Sequence, residues 1–161
     1  MEVSTSLLSI KEDAVRIFYD LEVAGTNYYH IDVMDGKFVE RNNMELMKDY
    51  ALAISHISNV GLDVHFMVEN VEEMVSEFLM LNPKIITFHI EATKDKERTM
   101  DIINDLKENG IKVGIAISPG TSIEEIKEYI KEWSYFQTNK KRKSKCLWNS
   151  KKMPSMSKKV F

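Results

Sequence analysis

His30, Asp32 and Met34 occupy alternate positions of the run His30-Ile-Asp-Val-Met-Asp-Gly36, and His65 and Met67 do so in Asp63-Val-His-Phe-Met67. Alternate side chains of a β-strand share one face. Two imidazoles, one carboxylate and two soft apolar side chains can therefore meet around a single metal and a small substrate. That chemistry depends on strands that lie side by side and end at the same rim.

The surrounding pattern supplies such strands. A short apolar run over 2–8 is followed by Ser9-Ile-Lys-Glu12, which has capping-box spacing, and by an amphipathic helix reaching about Ala24, with Gly25 as its stop. Strands are expected at 28–34, 62–68, 85–90 and 111–117, with helices over 43–58, from Asn70 to Asn82-Pro83, over about 95–109 and from Thr121 to Ile130. The strands are nearly continuous in apolar residues, as in a parallel sheet covered on both faces. Five strand–helix units without a glycine-rich dinucleotide fingerprint leave two architectures, a β/α barrel or an open doubly wound sheet, and both place their chemistry at strand C-terminal ends.

The chain has 161 residues, 43% hydrophobic and 29% charged, which fits one soluble domain. No apolar run reaches the roughly 18–20 residues of a membrane span. An acidic second residue and the lack of a basic leading segment argue against a secretory signal. A single cysteine, Cys146, cannot pair internally, so a cytoplasmic setting is the default. The net charge of −3 hides an asymmetry: no Asp or Glu follows Glu132, whereas 9 of the 22 Lys and Arg do. The division expected is an ordered body over 1–130 and a basic tail over 131–161, disordered or foreign to the body, in which Lys140-Lys-Arg-Lys143 reads as a solvated run rather than a nucleic-acid site. A reading-frame change near residue 131 is a further explanation of the break.

The motifs together are specific. Ser-Leu-Leu-Ser at 6–9, His-Ile-Asp-Val-Met-Asp-Gly-Lys-Phe-Val at 30–39, Asp-Val-His-Phe-Met-Val at 63–68, Phe-His-Ile-Glu-Ala at 88–92 and Val-Gly-Ile-Ala-Ile-Ser-Pro-Gly-Thr-Ser-Ile-Glu-Glu-Ile at 113–126 resemble the ribulose-phosphate 3-epimerase family in the family's own order. The resemblance implies a (β/α)8 TIM-barrel fold, here an incomplete barrel of about five β/α units. It also implies an isomerase of pentose-phosphate metabolism, exchanging D-ribulose 5-phosphate and D-xylulose 5-phosphate by inversion at C3. One divalent ion (Fe²⁺, Mn²⁺, Co²⁺ or Zn²⁺) polarises the ketone and stabilises an enediolate between two proton transfers. By that resemblance His30, Asp32 and His65 are metal ligands and Asp32 is also an acid/base residue. Ser6 and His65 contact substrate, and Met34 and Met67 pack beside the intermediate.

Each residue also has a plainer reading. A single histidine such as His30 or His65 is more often a hydrogen-bonded core residue, but their grouping with Asp32 favours ligation. Asp32 alone could cap a loop, Met34 and Met67 could simply pack, and Ser6 divides evenly between substrate contact and turn bonding. Asp35 reads as a turn residue beside Gly36. His89 and Glu91, placed on one strand face, read as support for the site rather than a second metal centre. His56 falls on a helix, and Cys146 has no neighbours that would make it a nucleophile.

Three family features have no counterpart: the second catalytic aspartate, which is also the fourth metal ligand; the later methionine and glycine-rich segment; and the late phosphate loops. Glu40 replaces a usual proline. The expectations for partners are a ketopentose-phosphate substrate, a homo-oligomer, no membrane and no nucleic acid. The alternatives are an epimerase of a related ketose phosphate such as allulose 6-phosphate, or an inactive barrel fragment that binds metal or oligomerises.

Overall fold

The computed structural model describes residues 2–129, 135–138 and 145–147. Five parallel strands alternate with helices: β1 (Ser4–Ser6), α1 (Ala14–Val23), β2 (Tyr28–Met34), α2 (Met44–Ile57), β3 (Gly61–Met67), α3 (Val71–Leu79), β4 (Ile85–His89), α4 (Ile90–Thr93), α5 (Lys96–Glu108) and β5 (Lys112–Ile117). A 3-10 helix over Ile123–Tyr129 follows. Strands β1 to β5 pair in chain order, every pair parallel, as in an incomplete β/α barrel.

Two further short strands extend the sheet. β6 (Tyr135–Thr138) is parallel to β5, and β7 (Lys145–Leu147) is antiparallel to β6. Both fall within the 131–161 segment read from sequence as a tail. Residues 130–134, 139–144 and 148–161, with the Lys140–Lys143 run, lie outside the described residues.

Strand alternation divides the sheet into two chemically distinct faces. Tyr29, Ile31 and Val33 of β2, Leu62, Val64 and Phe66 of β3, Ile86 and Phe88 of β4, and Val113, Ile115 and Ile117 of β5 are buried in one hydrophobic core with the inward stripes of the helices. Those stripes include Phe18, Met47, Ile54, Val75, Phe78, Ile103 and Leu106. The other face carries His30, Asp32 and Met34 beside Asp63, His65 and Met67, each pair in register. Thr87 and His89 continue it on β4. Both faces of the central strands are buried, but only one is apolar.

Several elements depart from expectation. Ser9 and Glu12 form no capping box: Ile10 N–H donates to the Leu7 carbonyl in a turn, and α1 starts only at Ala14, after Asp13 in a left-handed conformation (φ 50°). Residues 9–13 are thus used in turning the chain back from buried Leu7. The helix expected from Thr121 is a 3-10 helix beginning at Ile123. Caps elsewhere form: Asp95 accepts from Arg98 N–H at 3.0 Å, and Asn70 accepts from Glu73 N–H at 3.5 Å. Such caps satisfy helix donors that have no carbonyl partner.

Candidate active site

The inner face of β2 and β3 brings His30, Asp32 and His65 together. Parallel register sets Asp32 opposite His65 and His30 opposite Asp63. Asp32 Oδ1 lies 3.3 Å from His30 Nε2 and 3.1 Å from His65 Nδ1. One ligand atom from each residue lies within 4.8 Å of the others. Atoms bound at about 2.1 Å to one ion sit about 3.0–3.4 Å apart, a spacing both Asp32 contacts match, so this N, N, O set could hold a single divalent metal. Among the described residues it is the one group of three or more His, Cys, Asp or Glu that could hold one.

The electrostatics follow from burial and the two carboxylates. Burial opposes protonation of His30, but hydrogen bonds to Asp32 and Asp63 overcome it and raise the imidazole to about 10. Asp32 shows the reverse: burial pushes its carboxyl up, and the two histidines hold it well below the usual range. His65 is completely buried, which lowers its affinity for a proton. The site is therefore an anionic carboxylate shared by two rings.

Met34 and Met67 stand side by side one alternation beyond Asp32 and His65, each 8% exposed. They form an apolar rim above the candidate ligands. Ser6, in register with His30 on β1, is exposed and accepts a long 3.4 Å hydrogen bond from Leu8 N–H. It borders the cluster without touching it through any recorded bond.

One assignment changes and one residue is added. Glu91 does not share a strand face with His89, because the chain turns into α4 immediately after His89. It still reaches back, its Oε2 lying 3.2 Å from His89 Nδ1, while Oε1 accepts from Ser118 N–H at 2.6 Å and from the Thr121 hydroxyl. Spacing within its strand gives Asp63 no role, yet its Oδ2 lies 2.8 Å from His30 Nδ1 and accepts from Ser4 Oγ at 2.7 Å. Its position two residues before His65 places it on the same face as His65, but only the register reveals His30 as its neighbour.

The remaining polar residues lie outside the cluster. Asp35 Oδ1 accepts from Lys37 and Phe38 N–H, both at 2.8 Å, and Oδ2 accepts from Glu69 N–H at 2.8 Å. It ties the loop after β2 to the loop after β3. His56 is exposed on α2, its Nδ1 2.8 Å from the Leu52 carbonyl.

Comparison with known proteins identifies the family. The profile of the ribulose-phosphate 3 epimerase family matches residues 2–136. A protein of Helicobacter pylori (strain J99) named ribulose-phosphate 3-epimerase is 38% identical over 128 residues, covering 79% of this chain and 56% of that protein. Proteins of the same name from Methanocaldococcus jannaschii and Bacillus subtilis (strain 168) are 40% identical over 109 residues and 32% identical over 127. They are covered over 68% and 78% of this chain and 43% and 56% of their own lengths. The chain thus spans about half the length of these relatives. A profile match over most of the chain, with the metal-competent cluster on adjacent strands inside it, establishes that this chain belongs to the ribulose-phosphate 3-epimerase family.

Proposed function

We infer that the site performs metal-assisted proton transfer at C3 of D-ribulose 5-phosphate, interconverting it with D-xylulose 5-phosphate. The observation that carries this reading is the convergence of His30 Nε2 and His65 Nδ1 on one oxygen of Asp32. His30, Asp32 and His65 hold the ion, and Asp32 also exchanges the C3 proton. A divalent ion held there would supply positive charge beside the ketone oxygen, lowering the cost of the negative charge that develops when the C3 proton leaves. Both imidazoles meet Asp32 at Oδ1, so Oδ2, which neither contact uses, is the oxygen assigned to the C3 proton.

Met34 and Met67 limit water above the reacting carbon, and Ser6 and His65 contribute to substrate binding. Inversion needs a proton returned on the opposite face. Among the described residues no second carboxylate joins the three-residue group. Delivery by water in place of a positioned acid lowers the rate by about 10²–10⁴-fold.

The test is epimerisation of D-ribulose 5-phosphate by purified chain with Fe²⁺, Mn²⁺, Co²⁺ or Zn²⁺ added, beside Asp32→Asn prepared identically. Metal-dependent turnover lost in the variant supports the reading. A folded, metal-bound chain no faster than the variant is instead a metal-binding family member without this activity.

A further inference from the structure

The two histidines turn different nitrogens toward Asp32, Nε2 in His30 and Nδ1 in His65. In each ring the remaining nitrogen is already engaged. His30 Nδ1 lies 2.8 Å from Asp63 Oδ2, and His65 Nε2 lies 3.1 Å from His89 Nε2. We propose that Asp63 and the His89–Glu91 pair are positioning residues of the metal centre, fixing which nitrogen each histidine ligand offers. The proposal rests on His30, Asp32 and His65 being the ligands.

The argument is one of donors and acceptors. A carboxylate can only accept, so Asp63 keeps a hydrogen on His30 Nδ1, and Nε2 is the nitrogen that would give up its proton to a metal. Asp63 is itself held, with its side chain 3% exposed and its Oδ2 accepting from Ser4 Oγ at 2.7 Å. The second arm is one ring longer. Glu91 keeps a hydrogen on His89 Nδ1, so His89 Nε2 can accept from His65 Nε2–H, and with a metal in place of the proton between His65 Nδ1 and Asp32 the His65 lone pair would fall on Nδ1.

Packing fixes the second arm. The His65 and His89 rings stack at 5.1 Å with a 20° interplanar angle, and Phe38 lies 5.0 Å from His89. Glu91 is anchored in turn by Ser118 N–H and the Thr121 hydroxyl, from the segment after β5. A continuous path thus runs from β1 through Ser4, Asp63, His30, Asp32, His65 and His89 to the turn after β5. Each ligand ring is braced on the side away from the metal.

The test is Co²⁺ and Zn²⁺ binding by the full chain, measured by chelator competition, with the visible Co²⁺ spectrum as a second readout. Asp63→Asn and Glu91→Gln replace an obligate acceptor with an amide that can donate, without a change of size. Each is expected to weaken binding about 10–100-fold and to shift the Co²⁺ bands while binding stays one-to-one. Glu91 is the more exposed of the two, so Glu91→Gln remains informative where Asp63→Asn lowers folded yield. Wild-type binding that is lost in Asp32→Asn, with both variants within twofold of wild type and spectrally unchanged, overturns the positioning proposal alone. Binding that Asp32→Asn leaves intact overturns the ligand assignment beneath it.

Discussion

In the proposed reaction the chemistry turns on Asp32, one oxygen of which meets both candidate ligand rings. Asp32→Asn keeps the shape but removes the charge, and we expect metal binding and turnover to fall together, by at least about 10²-fold in rate. Glu91 gives a pH-dependent prediction. Burial raises its carboxyl, but His89, Thr121 and Ser118 outweigh that and bring it down to about 2 from an ordinary 4.5. A depressed carboxyl stabilises the fold above its unfolded pKa and loses that contribution as pH falls toward its folded one. The gap in melting temperature between wild type and Glu91→Gln should be widest above pH 5 and shrink steadily toward pH 3.

At the scale of elements, alternation made the site legible. Period-two spacing alone placed His30, Asp32 and Met34 on one face and His65 and Met67 on another, and the sheet lays those faces side by side. Asp63 escaped notice because its role depends on register between strands, which spacing within a strand does not encode. Helix α4 escaped because Ile90–Thr93 is a single turn, too short for a helical period. The Ser9–Glu12 spacing misled because the tertiary demand to turn back from Leu7 outweighed a local cap. Strand β6 directly precedes the basic stretch at 139–143, and its four residues, Tyr135–Thr138, carry too short an alternation to stand out.

Close packing between strands gives a prediction at the same scale. A Cβ on Gly114 of β5 would sit 2.2 Å from Thr87 Oγ1 and 3.0 Å from Thr87 Cβ on β4. Gly114→Ala should therefore destabilise the chain by about 1–3 kcal/mol through overpacking, measured by urea denaturation. Thr87→Gly in the same chain should recover part of that loss, since it removes the opposing atoms.

For the molecule as a whole, five parallel strands and their helices build the face that carries the candidate ligands, and the chain spans 56% of the Helicobacter pylori relative. Among the described residues no helix is long and apolar enough to cross a membrane. A metal that binds only the folded state must stabilise it. Saturation to about 100 times Kd should add about 2.7 kcal/mol, seen as a rise in melting temperature that EDTA reverses and Asp32→Asn lacks. An unchanged melting temperature in a chain shown to bind the ion would place the ion outside the folded site.

The central claim is that Asp32, beside a metal held by His30 and His65, removes the C3 proton. Its most direct test is exchange in D₂O, because washing deuterium into C3 of D-ribulose 5-phosphate requires the first proton transfer but not completed inversion. We expect metal-dependent deuterium incorporation at C3, read by proton NMR and abolished in Asp32→Asn. A folded, metal-loaded chain that incorporates no more deuterium than Asp32→Asn would contradict the account.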